Sequence, residues 1–166
     1  MTDLTILEVP MGIAALLGAM RTIHWFRGRA MFALAARLGF RYVGPSAPAS
    51  WWWNPPNGRT GPHLPSWVSN TNPCGLAVRQ VWNVMEGQRN GMSILVFDAI
   101  YGSKGGRPFT AIVCQTEWDP FQTASTGDHV YQSHRWTLLR GTTFLGFSWT
   151  MSIRRLEDNI SNLQSQ

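Results

Sequence analysis

The stretch Ile13–Phe40, IAALLGAMRTIHWFRGRAMFALAARLGF, decides the fold because it begins as a wholly apolar segment and ends as an amphipathic one. No charged residue lies between Glu8 and Arg21, so the apolar run has a helical length of about 18 Å, against a hydrocarbon core of about 30 Å. Extending the run to Phe26 adds length but includes Arg21 and His24. The first half of the stretch can therefore span a membrane, lie on one, or fill a core.

The second half of the stretch predicts a helix that packs against a core, because its larger apolar residues recur at helical spacing. These residues are Met31, Phe32, Leu34, Ala35 and Leu38, and Arg29 and Arg37 fall on the other side. Gly39 is a natural residue to end this helix, and residues 40–43 then predict a short strand.

A long loop is expected over residues 44–75, which hold seven of the ten prolines. The same segment carries Trp51, Trp52, Trp53 and Trp67. A disordered linker would hardly expose four indoles to water, so we expect this loop to be ordered by contact with a partner or with its own domain.

From Leu76 onward the pattern predicts strands separated by short turns. Asn90-Gly91 is a strong hairpin signal because both residues tolerate a positive φ. A last strand pair is expected over 129–153, turning at Arg140-Gly141. The predicted fold is α+β, an antiparallel meander of about five strands covered on one face by the helix at 28–38.

This pattern divides the chain into three parts. Residues 1–27 form an apolar N-terminal segment that contacts a membrane or a partner. Residues 28–153 form a single α+β domain that includes the loop at 44–75, and residues 154–166 form a polar tail that begins with a short helix.

The charge of the chain is strongly biased towards arginine. Its formal net charge is +5, and Lys104 is the only lysine among 14 basic residues. No acidic residue lies between Glu8 and Glu86. A positively charged N-terminal half of this kind suits a phosphate-bearing partner, which is either anionic lipid or nucleic acid. Codon bias towards arginine is the plainer explanation of the same pattern.

Three stretches resemble a loose group of uncharacterised bacterial proteins: ARLGFRYVG, WNVMEGQRNG and VFDAIYGSKGG, within residues 28–118. In that group a short hydrophobic N-terminal segment precedes a small α+β domain that faces the cytoplasm, and no chemistry is assigned. The chain departs from the group at Arg21, which interrupts the hydrophobic segment, and at Ala99, where those proteins tend to carry an aromatic residue. The resemblance implies a membrane-anchored protein with its domain in the cytoplasm.

Motifs for catalysis and for metal or cofactor binding are weak in this sequence. The glycine-rich loop 102–106 with Lys104 and Arg107 can hold a phosphate, although its spacing is not that of a P-loop and a hairpin loop explains it equally. Cys74 and Cys114 form no zinc set, and their pairing is left open. We therefore predict no catalytic residue, no metal and no cofactor, and a non-enzymatic role.

Contact with a membrane or a membrane protein is the interpretation that uses the apolar segment, the tryptophans and the arginines together. The residues expected to make this contact are Ile13, Leu16, Leu17, Met20, Arg21, Trp25, Phe26, Arg27, Arg29, Trp51, Trp52, Trp53 and Trp67. The expected partners are a membrane protein complex and an anionic lipid surface, at the cytoplasmic side, with peripheral or shallowly inserted binding.

The predicted function is a non-catalytic accessory or structural subunit docked on a membrane protein assembly, such as an energy-transducing complex. Two alternatives are a soluble protein that binds single-stranded nucleic acid, which would stack bases on the tryptophans beside Arg59, and a small domain that binds a phosphate ligand through Lys104 and Arg107. Nucleic acid is disfavoured, because such a protein has no use for an exposed apolar run at Met11–Met20.

Overall fold

The computed structural model describes residues 4–44, 78–101, 108–116, 128–133, 136–141 and 151–163. These ranges contain two helices and six strands, which confirms the α+β class. The elements in chain order are α1 (Leu4–Leu38), β1 (Arg41–Gly44), β2 (Val78–Arg89), β3 (Met92–Tyr101), β4 (Pro108–Gln115), β5 (Asp128–Ser133), β6 (Trp136–Gly141) and α2 (Ile153–Ser161).

The six strands form one antiparallel sheet in the order β1-β2-β3-β4-β6-β5. The first four strands are a meander, but β4 pairs with β6 and β5 lies at the edge. The sheet thus has one strand more than the five or so expected. The predicted turn at Arg140-Gly141 is wrong: both residues lie in β6, which pairs with β5, and the segment at 142–150 lies outside the described residues.

The Asn90-Gly91 turn between β2 and β3 is confirmed, since both residues have positive φ values of 52° and 78°. Strand β2 also contains a bulge that could not be anticipated from the sequence. Asn83 has a φ of 51°, and the register shifts between Trp82 and Met85. This bulge reverses the alternation of the strand, so Trp82 and Met85 both pair with residues of β3 that point towards α1.

Helix α1 extends well before the amphipathic stretch. It begins at Leu4, so Pro10 lies inside it. The end is as expected: Gly39 has a φ of 70°, and the N–H of Phe40 donates to the carbonyl of Ala35 at 2.8 Å. This left-handed residue stops the helix and turns the chain into β1.

The core lies between the sheet and the two helices. Met31, Leu34 and Ala35 of α1 belong to the same buried cluster as Leu156 and Ile160 of α2. Helix α2 starts at Ser152, whose hydroxyl accepts from the N–H of Arg155, and Leu163 just beyond its end is also buried. The predicted polar tail at 154–166 therefore contains a helix that contributes to the core.

Both faces of the central strand β3 are buried. Ile94 and Val96 point towards the helices and are at most 1% exposed, and Leu95 and Phe97 on the other face are fully buried. This strand is the most apolar of the sheet, as a central position requires. The sheet thus offers no open apolar face on β3, and exposed apolar surface has to be sought elsewhere.

Phe40 covers Gly87 in the neighbouring strand so closely that a side chain would not fit. A Cβ at Gly87 would lie 2.2 Å from the Phe40 ring, whereas a Cβ at Gly12 would meet nothing within 4 Å. We expect Gly87→Ala to lower the free energy of unfolding by about 1–3 kcal/mol, because the buried ring must shift. Gly12→Ala should raise it by up to about 1 kcal/mol through helix propensity. Urea unfolding of both variants checks this, and equal stability would contradict it.

Candidate functional site

The carboxylate of Asp98 is the centre of a buried polar network. Its side chain is fully buried, and four donors reach its two oxygens. Oδ1 accepts from Arg27 Nη2 at 2.9 Å and from the Thr110 hydroxyl at 2.7 Å. Oδ2 accepts from Arg27 Nε at 3.0 Å and from Asn83 Nδ2 at 2.9 Å. Each oxygen has two donors, so the acceptor capacity of the carboxylate is filled by the protein itself.

Arg27, which was expected to contact a membrane or a partner, binds Asp98 inside the fold instead. Its side chain is only 13% exposed and forms a bidentate pair with Asp98 across 71 positions of sequence. Its remaining N–H groups donate to the Thr110 hydroxyl at 3.0 Å and to the carbonyl of Met151 at 2.5 Å. The physical reason is that Asp98 is buried in a strand and needs an opposite charge, which the helix supplies.

The bulge in β2 brings Asn83 into this network. Its Nδ2 donates to Asp98, while its Oδ1 accepts from the Tyr42 hydroxyl at 2.9 Å. Burial raises the pKa of Tyr42 to about 12; the nearby charge of Asp98 adds to the rise and Arg27 opposes it. The phenol therefore stays protonated at neutral pH and remains a hydrogen-bond donor. The buried Asn83 amide thus has a partner for its oxygen as well as for its nitrogen.

His24 lies at the edge of the network, one turn before Arg27. It is half-buried, and its ring meets the Trp82 indole edge-on with 6.1 Å between centroids. Burial lowers the pKa of His24, and the positive charge of Arg27 acts in the same direction, whereas Asp98 raises it. At neutral pH the imidazole is therefore neutral, and it adds no further charge beside the buried ion pair.

Beyond His24, towards its N-terminus, α1 exposes an apolar surface. We call residues 10–23 the apolar arm. All residues from Pro10 to Ala19 are exposed, and Ile13, Leu16 and Leu17 are 52%, 59% and 43% exposed. The Met20 side chain lies outside the described residues. Ile13, Leu16 and Leu17 continue the helix stripe that is buried at Met31 and Leu34, since they lie whole turns before them.

A group of aromatic and basic side chains lies where the apolar arm meets the domain. We call Arg21, Trp25, Phe26 and Arg29 the collar. Trp25 and Phe26 are 54% and 61% exposed and meet edge-to-face at 5.0 Å, and the Arg29 guanidinium lies over the Trp25 ring at 4.9 Å. Arg21 and Arg29 are exposed and form no ion pair within the described residues, in contrast to Arg27.

Two other described arginine side chains of this half of the chain have partners. Arg37 donates to Glu157 of α2 at 2.8 Å, which lowers the pKa of Glu157, and Arg41 pairs with Glu86. Both pairs are on the surface and add little stability. Among the described arginine side chains between Glu8 and Glu86, the exposed positive charge without an ion-pair partner therefore lies in the collar.

Several residues expected at a contact site lie outside the described residues. These are Trp51, Trp52, Trp53 and Trp67 of the predicted loop, Lys104 and Arg107 of the glycine-rich loop, and Cys74. Cys114 is buried in the core. The expected contact residues that the structure brings together are Ile13, Leu16, Leu17, Arg21, Trp25, Phe26 and Arg29, all on one helix.

Neither of the described helices has the combination of length and apolarity that crossing a bilayer requires. Among the described residues, no three His, Cys, Asp or Glu side chains lie together as metal ligands would. Comparison of the chain with protein-family models, with curated proteins and with solved structures gave no match. The function is therefore inferred from the geometry of α1 and its surroundings.

The polar network could have been found from two signals in the sequence. Arg27 precedes Met31 by four residues and Leu34 by seven, so helical periodicity places it on the core face. Asp98 interrupts the most apolar strand and requires a partner. No comparable signal indicates Asn83, because the bulge that turns its side chain inward has no sequence signature of its own.

We expect loss of either member of the Arg27–Asp98 pair to destabilise the fold strongly. Arg27→Met or Asp98→Asn should each lower the free energy of unfolding by about 3–5 kcal/mol, because each leaves a buried polar group without its partner. The double variant should lose clearly less than the sum. Urea unfolding measures all three. Arg37→Met, which breaks an exposed pair of the same helix, is the control and should change little; purely additive losses at 27 and 98 would contradict the pairing.

Stability should also depend on the protonation of His24. Its pKa is lowered in the folded protein, so below the ordinary value near 6.5 the unfolded chain binds more protons than the folded one. The free energy of unfolding should therefore fall as the pH drops from about 7.5 to about 5.5. His24→Phe keeps a ring against Trp82 and should show a smaller fall. Urea titrations at both pH values test this, and an identical fall in both proteins would rule out His24 as the cause.

Proposed function

We propose that this protein is a non-catalytic accessory subunit that docks on the cytoplasmic side of a membrane assembly through its apolar arm. The observation that carries the proposal is the exposure of Ile13, Leu16 and Leu17 on a helix that is firmly held at Arg27. Apolar surface left in water costs about 25 cal/mol per Å², so an arm of this kind favours an apolar environment.

The composition of the apolar arm favours contact with a membrane over exposure to water. A surface helix of a soluble protein has a polar face, and the segment between Glu8 and Arg21 has none. A helix that is apolar all round occurs in the interior of a protein or in a membrane. Because the uncharged run between Glu8 and Arg21 is only about 18 Å long as a helix, peripheral docking or shallow insertion is the form that the proposal takes.

The position of the arginines supports the cytoplasmic side. Arg21 lies near the end of the apolar arm and Arg29 follows it, and no acidic residue occurs between Glu8 and Glu86. Basic residues that flank a membrane-contacting segment are enriched on the cytoplasmic face. Trp25 lies between these arginines and is half-exposed, as expected for an indole at the level of the lipid headgroups.

A non-catalytic role is supported by the way the buried polar groups are used. Asp98, Asn83 and Thr110 are buried, and Asn83 and Thr110 each donate a hydrogen bond to Asp98. A catalytic carboxylate needs capacity left over for a substrate or a proton, whereas all four acceptor positions of Asp98 are filled. The network thus serves to hold α1 on the sheet.

Retention in the membrane fraction should depend on the apolar arm. We expect the double variant Ile13→Glu/Leu16→Glu to move from the membrane fraction to the soluble fraction of cells that produce the protein, because charges on the arm oppose burial in an apolar environment. The control is Gln88→Glu, which adds a charge at an exposed position on the hairpin. Fractionation followed by immunoblotting reports the distribution.

An N-terminal deletion that ends before Arg27 and its hydrogen-bond network gives a second test of the proposed docking. Removal of residues 1–20 leaves His24 and Arg27 in place, so the domain should fold and become soluble. Removal of residues 1–27 would also take away the partner of Asp98 and would confuse unfolding with release. An unchanged membrane fraction after removal of residues 1–20 contradicts the proposed docking. Binding to single-stranded nucleic acid that weakens steeply as salt rises would instead favour the nucleic-acid alternative.

A further inference from the structure

We propose that the ligand of the apolar arm is the anionic lipid leaflet itself, in which α1 lies along the membrane surface with its collar among the headgroups. This inference rests on the proposed function and specifies which component of the membrane the protein recognises. It concerns residues 10–29 of α1, and it assigns the headgroup contacts to Arg21 and Arg29.

The distribution of exposed apolar residues around the arm favours lipid over a groove on a protein. Successive residues of a helix are turned by about 100°, so Met11 lies nearly opposite Ile13. Met11 is 70% exposed and Ile13 52%, so apolar surface is open on opposite sides of the same turns. A groove covers one side of a helix, whereas lipid can contact more than one side of a helix that is sunk into the interface.

Two exposed aromatic residues lie where the apolar arm meets the domain. Trp25 and Phe26 are 54% and 61% exposed, whereas Phe32 contacts Tyr42 of β1 edge-on with 5.7 Å between ring centroids. Trp25 and Phe26 can therefore enter the lipid at this point while the sheet stays on the aqueous side.

The length of the arm fits this orientation. Glu8 and Arg21 are 13 residues apart along the helix, a separation of about 20 Å, which is less than the hydrocarbon core of about 30 Å. If α1 stood upright, one of these charges would lie deep in hydrocarbon. If it lies in the plane, both charges reach the headgroups while the uncharged residues between them enter the upper acyl region.

The charge of the collar selects the headgroup. Arg21 and Arg29 are exposed and form no ion pair within the described residues, and Arg29 is held over the Trp25 ring at 4.9 Å. A guanidinium fixed beside an indole at the surface presents its free N–H groups to a phosphate or carboxylate. An anionic headgroup such as phosphatidylserine supplies both.

Flotation of the purified full-length protein with lipid vesicles tests this inference. The protein should float with vesicles that contain phosphatidylserine and much less with pure phosphatidylcholine. Arg21→Gln/Arg29→Gln should weaken partitioning about 30-fold, at about five-fold per arginine near an anionic surface. The matched control is Arg89→Gln/Arg154→Gln, which removes the same charge from two exposed positions away from the collar and should bind as the unaltered protein does.

The position of the collar is tested separately with brominated lipids. Quenching of the intrinsic fluorescence by lipids brominated in the upper acyl chain should be reduced in Trp25→Phe. Unchanged quenching in that variant would overturn the proposed orientation. All variants concern exposed side chains, so their urea unfolding should match that of the unaltered protein.

The outcomes separate this inference from the proposed function. Binding to anionic vesicles that the collar variant loses upholds the inference. Equal loss in the control pair shows a general charge effect and overturns it. Failure to bind any vesicle, with the protein still retained in cell membranes, overturns the lipid assignment and leaves docking on a membrane protein. Failure in both tests overturns the proposed function as well.

Discussion

The bidentate ion pair between Arg27 and Asp98 is the interaction on which the position of α1 depends. The carboxylate is fully buried, and the guanidinium also binds the Thr110 hydroxyl and the backbone carbonyl of Met151. One side chain thus connects the long helix to β3, to β4 and to the segment that leads into α2. Because the cost of burying these charges is recovered only when all partners are in place, the pair favours one placement of the helix over its alternatives.

That placement has a consequence for the N-terminal half of α1. The helix is continuous from Leu4 to Leu38, so the direction of the apolar arm follows from the position of the helix at Arg27. On this stripe Met31, Leu34 and Ala35 are buried, whereas Ile13, Leu16 and Leu17 are exposed. The stripe therefore continues past the edge of the domain. The residues of its outer part are apolar like those of the core, but they are not packed against other described parts of the protein. The proposed membrane role supplies the missing contacts.

The sequence was sufficient for the local elements but not for their assembly. Gly39, Asn90 and Gly91 fixed a helix end and a hairpin because each position requires a left-handed backbone, and this requirement is visible in a single residue type. The bulge at Asn83 and the pairing of β4 with β6 depend on contacts between distant segments. The turn predicted at Arg140-Gly141 failed for that reason, since a glycine after a strand signals a turn without identifying its partner.

The candidate site shows the same division. Apolar and aromatic residues of α1 were expected to make contacts from their composition alone, and Ile13, Leu16, Leu17, Trp25 and Phe26 are exposed in the structure. The charge of Arg27, taken alone, predicts a place among the surface arginines. Its place one turn before Met31 indicates the core face, and Asp98 is the partner that this position requires. The predicted tryptophan loop lies outside the described residues and remains a prediction.

Amide hydrogen exchange along α1 is the measurement that tests the central claim most directly. In water, an exposed helical segment without tertiary contacts should exchange quickly at residues 10–23, whereas residues 27–38 should be protected by the core. Addition of membranes prepared from the producing cells should slow exchange at residues 10–23 and leave residues 27–38 unchanged. Equal exchange rates at residues 10–23 with and without membranes would contradict the account.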